Sequence, residues 1–293
     1  MLVWLIAGSV LLLSTAGAVW WTRVQTDPER VFWGMLEQSL RTNGVTVQSS
    51  QDDFGANVTY TLQYSLGGNN LAQSMTRVEQ QGTKLTTEVI GTPDADYTRY
   101  VDIETDETNE AGDPIDVSAI ENVWAKTEHT DGTSGLIGQA ALGLNLPLGA
   151  LPVPIANLPA EQRESLLDQM RRENIYQVSY DNVSRQRSED GRLLHVYNAQ
   201  IQAILYASLM KQFGEYAGLQ ELVDLDPNTH SGAPPLEVEM TVDVRSRQLV
   251  DVRMASSGGM YHQTYSGYDI PVQVQRPNDT VSGSELQHRL QEL

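Results

Sequence analysis

Leu236, Val238, Met240, Val242 and Val244 alternate with Glu237, Glu239, Thr241 and Asp243, the two-residue period of a strand with one dry face. The alternation returns in Val250, Val252 and Met254 after a turn over 245–248, and again over 261–265 after Ser257, Gly258 and Gly259. Strands joined this tightly have to pair antiparallel, because a parallel pair needs a crossover of about a dozen residues or more. A further strand is predicted over 270–274, with Pro271 at its start, a bulge or an edge and Pro277 ending it. Ser282 and Glu285 form a capping box, and Leu286, Leu290 and Leu293 stripe the helix that it opens. The segment reads as an antiparallel meander closed by a packing helix.

The same order, and the stretch TYSGYDIPVQVQRP in particular, resembles the C-terminal part of the LolA-like envelope carriers and of the LppX/LprG group of lipoproteins. The likeness in sequence is confined to residues 236–293; over 27–293 it is one of architecture. The resemblance implies an α+β fold: a curved antiparallel β half-barrel with helices packed on its concave face, where many of those proteins hold lipid. It also implies export from the cytoplasm. The lipid-bearing Cys of those lipoproteins has no counterpart, since the chain has no Cys.

An anchor made of peptide is available instead. Residues 2–21 are about twenty uncharged, mostly apolar residues, enough for one N-terminal transmembrane helix. Trp4, Trp20 and Trp21 fall where interfacial aromatics belong. A cleaved signal peptide is the rival reading, with Ala16-Gly17-Ala18 as the cleavage site, but no Lys or Arg precedes the apolar run and it continues through Trp21. Arg23 and Arg30 follow the span, which by charge alone would leave the domain in the cytoplasm; the resemblance argues for the other side. The expected organisation is residues 1–22 as signal-anchor or signal peptide, then 23–293 as a single extracytoplasmic LolA-like domain.

Between these ends the pattern is again mostly strand. Asp27-Pro28 opens a helix as N-cap and first residue, Val31, Phe32, Met35, Leu36 and Leu40 share its inner face, and Asn43-Gly44 ends it. Val58, Tyr60, Leu62 and Tyr64 alternate with polar residues, and strands over 71–80, 84–90 and 97–103 follow with turns between them, a meander rather than βαβ units. Residues 102–116 are crowded with acids and lack a base. Asp102, Glu104 and Asp106 have the opening spacing of a calcium loop, but Glu107 stands where Gly is needed and Asp113 where the bidentate Glu belongs, so a solvated loop is expected. A helix is predicted over 159–174, strands over 175–180, 183–187 and 193–201, and a second helix over 205–217 with Gly218 as its C-cap.

Two stretches are apolar beyond what a surface tolerates. Residues 132–160 carry no charge and are broken by Pro147, Pro152, Pro154 and Pro159; they are either cover over the sheet or a surface facing a ligand, a membrane or a partner. The 205–217 helix carries Leu205, Tyr206, Leu209, Met210, Phe213, Tyr216 and Ala217 over a wide arc, so it packs on more than one side. The resemblance implies that such a helix lines the mouth of the half-barrel, which makes Leu136, Leu144, Leu146, Leu205, Leu209, Met210 and Phe213 candidate ligand-binding residues. A helix that simply fills the concave face is the alternative.

A formal charge of -19 disfavours nucleic acid as a partner. The five His residues are scattered, and no nucleophile elbow, phosphate loop, dinucleotide fingerprint or zinc-helix motif is present. No enzyme activity, cofactor or metal is expected. The expected function is a membrane-anchored cell-envelope protein that binds or carries an apolar ligand, lipid or lipoprotein-like, in the half-barrel. The alternative is a surface structural, interaction or sensing protein of the same fold with no cavity, serving an envelope protein partner.

Overall fold

The computed structural model describes residues 25–53, 56–108, 112–129, 135–142, 152–256 and 259–292. Helix α1 (Pro28–Ser39) begins where the sequence signals place it: Asp27 caps it by accepting the Arg30 N–H at 3.0 Å, and Pro28 fills the first position, where a missing N–H costs nothing. It ends at Ser39 with Leu40 as C-cap, three residues before Asn43.

Five strands then run back and forth: β1 (Val45–Asp53), β2 (Ala56–Ser65), β3 (Leu71–Gln80), β4 (Thr83–Gly91) and β5 (Ala95–Glu104), followed by the short β6 (Ala125–Glu128). Each pairs antiparallel with the next. Helices α2 (Gly135–Leu142) and α3 (Ala160–Arg172) precede β7 (Tyr176–Val178), β8 (Ser184–Arg187) and β9 (Leu193–Ile201). After α4 (Ala203–Ala217) and α5 (Gln220–Val223), the chain forms β10 (Leu236–Asp243), β11 (Leu249–Ser256) and β12 (Gly259–Ser266), and ends in β13 (Val281–Ser282) and α6 (Gly283–Gln291).

Among the described residues these strands form one large, open, curved sheet in the order β13-β6-β5-β4-β3-β2-β1-β12-β11-β10-β9-β7, with β8 beside β7 on β9. The joint is β1 with β12, where Val47 lies opposite Tyr265, so the two meanders become one surface. All strand pairs are antiparallel except β13 with β6. The α+β class, with a large open curved sheet and several helices packed on it, is thus observed. No helix of the described residues is long and apolar enough to cross a membrane; residues 2–21 lie outside them.

The core lies between the concave face and its helices. Phe32, Met35 and Leu36 of α1, Leu166 and Met170 of α3, and Leu209, Met210 and Phe213 of α4 share one cluster with Val47, Leu62, Tyr197, Val238, Met240, Val252 and Met254 of the sheet. Phe32 meets Tyr176, Tyr180 and Tyr197 ring to ring, at centroid separations of 5.3 to 6.2 Å. Burial of this cluster, worth about 25 cal/mol per Å² of apolar surface, is the main term holding the layers together.

Two expectations need correction. Residues 270–274 are not a strand; they join no ladder, and Pro271 lacks the N–H that a ladder needs. Val274 instead packs with Ile90, Tyr97 and Trp124, and Ile270 stays exposed. In β11 the buried residue is Leu249 rather than Val250, because a register shift between Thr241 and Val242 sets Val242 opposite Leu249. The apolar 132–160 stretch is cover wherever it is described. Leu136, Ile137, Ala140, Val153, Ile155 and Leu158 are all buried, and Asn157 and Leu158 donate backbone hydrogen bonds to the Leu66 and Leu40 carbonyls.

Candidate ligand-binding interior

Strand register lays out the concave face of the first meander as rows. Tyr64, Ala72 and Gly91 form the first; Leu62, Ser74 and Val89 the second; Tyr60, Thr76 and Thr87 the third; and Val58, Val78 and Leu85 the fourth. The first row lies under α2. A Cβ on Gly91 would come within 3.0 Å of the Leu136 Cβ, so this glycine lets the helix sit close on the sheet. Asp96 fixes the start of that helix by accepting the Leu136 N–H at 2.9 Å, with His129 Nε2 at 3.1 Å from its other oxygen. Burial raises the Asp96 carboxyl above its usual range.

Burial falls along the rows. Tyr64, Ala72, Leu62 and Ser74 are closed off, whereas Val89, Tyr60, Thr76, Thr87, Val58, Val78 and Leu85 are only half-buried. The interior therefore continues into a partly open strip on the same face of the same strands, with Tyr60, Thr76 and Thr87 nearer the core and the apolar Val58, Val78 and Leu85 beyond them.

The structure brings together the sequence-predicted residues that it describes. Leu136, Leu209, Met210 and Phe213 belong to one buried cluster, and Leu205 packs against it half-buried. Leu144 and Leu146 lie outside the described residues. Leu209 and Met210 are 0% exposed. Side chains facing an open void keep some accessible surface, so these two are in contact with other side chains on every side.

Sequence reasoning missed the polar groups within this interior. Tyr265 Oη donates to Gln263 Oε1 at 2.9 Å, Tyr268 Oη to the Leu249 carbonyl at 2.6 Å, and Tyr176 Oη to the Pro152 carbonyl at 2.8 Å. Tyr64 Oη is buried and has no hydrogen-bond partner among the described residues. The Ser74 hydroxyl lies beside Tyr60 Oη but outside hydrogen-bond geometry. The alternation in β2 already put Tyr60 and Tyr64 on the inner face, but their lack of partners depends on residues far along the chain.

At the edge of the first row Asp96, opposite Gly91, is half-buried against α2. The buried carboxylates sit elsewhere: Glu88 takes Arg99 and Gln73 on the outer face, and Asp243 caps the turn at Arg245 and Ser246. Asp251 pairs with His262 and Arg253 in a partly exposed cluster, also on the outer face. Among the described residues no group of three His, Cys, Asp or Glu is placed to hold a metal.

No family model matches the chain, and no curated protein sequence matches it. Among solved structures it is similar to the crystal structure of LprF from Mycobacterium bovis, at 13% identity and a TM-score of 0.42, over 85% of this chain and 96% of that one. It is also similar to the crystal structure of the Mycobacterium tuberculosis lipoprotein LppX, at 12% identity and a TM-score of 0.38, over 86% of this chain and 98% of that one.

Proposed function

We propose that the chain is a membrane-anchored protein of the cell envelope that binds an apolar ligand between its curved sheet and the helices over it. Residues 2–21 serve as the anchor, and the domain lies outside the cytoplasm. Helix α1 starts seven residues after Trp21, a link of at most about 25 Å, so the domain sits close to the bilayer. The reading takes the protein as a binder that holds its ligand unchanged.

The observation that carries this reading is the burial gradient on the concave face. On this face Tyr64, Ala72, Leu62 and Ser74 are sealed while Val58, Val78 and Leu85 stay half-open, with half-buried Tyr60, Thr76 and Thr87 between them, a track from solvent to core. A lipid chain laid on that track would gain about 25 cal/mol per Å² buried, before ordering costs. Leu136, Leu205, Leu209, Met210 and Phe213 form the inner end, which a ligand reaches only by shifting α4 from its close packing.

That closure also favours a second reading, a surface interaction protein with a filled interior. Carbene labelling with a hydrocarbon diazirine separates the two. Labelling of Val58, Val78 and Leu85 in excess of Met75, a 45% exposed residue of the outer face, supports ligand binding. Equal labelling of both faces supports the interaction protein.

A further inference from the structure

The Tyr64 hydroxyl is a feature of the interior that its own packing leaves unexplained. Its residue is 1% exposed, and among the described residues its Oη has no hydrogen-bond partner. Buried hydroxyls nearly always have one. Its neighbours have found theirs: Tyr265 uses Gln263, Tyr268 uses the Leu249 carbonyl, and Tyr206 is engaged with Tyr176. Burial holds the Tyr64 hydroxyl un-ionised, and the nearby Tyr265, Tyr268 and Tyr60 add to that. It is therefore a neutral donor. Tyr60 Oη, on the same strand face and toward the half-open rows, is also a donor without a well-formed bond.

We infer that Tyr64, with Tyr60 nearer the mouth, donates a hydrogen bond to an uncharged acceptor oxygen, a carbonyl or ether, of the apolar ligand. This rests on the ligand-binding reading above and adds what the ligand carries besides hydrocarbon. An anionic group is a poor match: among the described residues no Lys or Arg is fully buried, and a desolvated anion without a cation is strongly disfavoured. A plain hydrocarbon would leave the hydroxyl orphaned. An acceptor oxygen satisfies it.

The test uses the full chain in amphipol, with radiolabelled methyl oleate and radiolabelled 1-octadecene as probes and empty amphipol as the blank. The wild type should retain the ester more tightly than the alkene. Tyr64→Phe should lower ester affinity by about fivefold to tenfold, leave octadecene unchanged, and melt no earlier than the wild type, since its hydroxyl has no protein bond to lose. A Tyr64→Phe variant that binds both probes as the wild type does, or loses both equally, overturns the inference while leaving the binding reading in place. A wild type that takes up neither probe overturns both.

Discussion

Tyr197 Oη donates to the Pro28 carbonyl at 2.9 Å, a bond across 169 positions that ties β9 to the first turn of α1. Because that hydroxyl proton is committed to Pro28, His195 Nδ1 at 3.1 Å must be the donor to Tyr197 Oη, which fixes the neutral tautomer of His195. Arg247 adds a second tie at the same place, donating from Nη2 to the Gln25 carbonyl at 2.6 Å. The start of the described chain is thereby fastened to the sheet.

Tyr197→Phe should therefore cost about 1–3 kcal/mol, because it leaves the Pro28 carbonyl and the His195 N–H unpaired in a buried site. Urea unfolding at neutral pH measures it. A loss within a few tenths of a kcal/mol would mean that water replaces the bond.

His195 also makes stability pH-dependent. Burial, then Arg185 and Arg247, lowers its pKa from 6.5 to about 4, and its side chain is 0% exposed. Between these values the unfolded chain binds a proton that the folded chain refuses, so stability falls as pH drops from 6.5 to about 4 and levels off below. The full effect is on the order of 3 kcal/mol. Unfolding free energies at pH 7 and pH 4.5 should differ less in His195→Gln than in the wild type; an identical difference would remove His195 as the cause.

The two ends of the proposed track should respond differently to substitution. Leu209 is closed on all sides, so Leu209→Ala should cost about 2–5 kcal/mol of stability. Leu85 is half-buried on the fourth row, so Leu85→Glu should cost about 1 kcal/mol or less while cutting uptake of methyl oleate. Uptake that survives Leu85→Glu would place the entrance elsewhere.

Two glycines offer a backbone comparison. Gly218 adopts φ +69 as the αL cap of α4, with open space where a Cβ would go, so Gly218→Ala should cost about 1–2 kcal/mol from the left-handed conformation alone. Gly67, at φ +85, would put a Cβ 2.5 Å from the Asn157 carbonyl oxygen. Gly67→Ala should lose clearly more in denaturation midpoint, since the 152–158 cover would have to shift.

Where the structure follows the sequence, the signals are local. Asp27-Pro28, the Ser282 cap, Gly218 and the alternation of β9 and β10 each act within a turn or a strand, and the elements start or end where they indicate. The misreading of 270–274 has the same root: its alternation is strand-like, but Pro271 and the lack of a neighbouring strand decide the outcome, and the neighbour is set by the whole sheet. Leu249 replaces Val250 inside because of a shift in the facing strand. The candidate apolar residues were legible as a stripe, since helical spacing places Leu209, Met210 and Phe213 on the core side. The Tyr64 orphan was not, because a missing partner is a property of everything folded around it.

The central claim is that an apolar ligand occupies the concave face, and native mass spectrometry of the full chain purified from its own membrane tests it most directly. The account predicts a mass above that of the chain, with the excess released by organic extraction and recovered as lipid. A mass equal to the chain alone, together with no uptake of added lipid, would contradict it and leave the filled interaction protein as the reading of this fold.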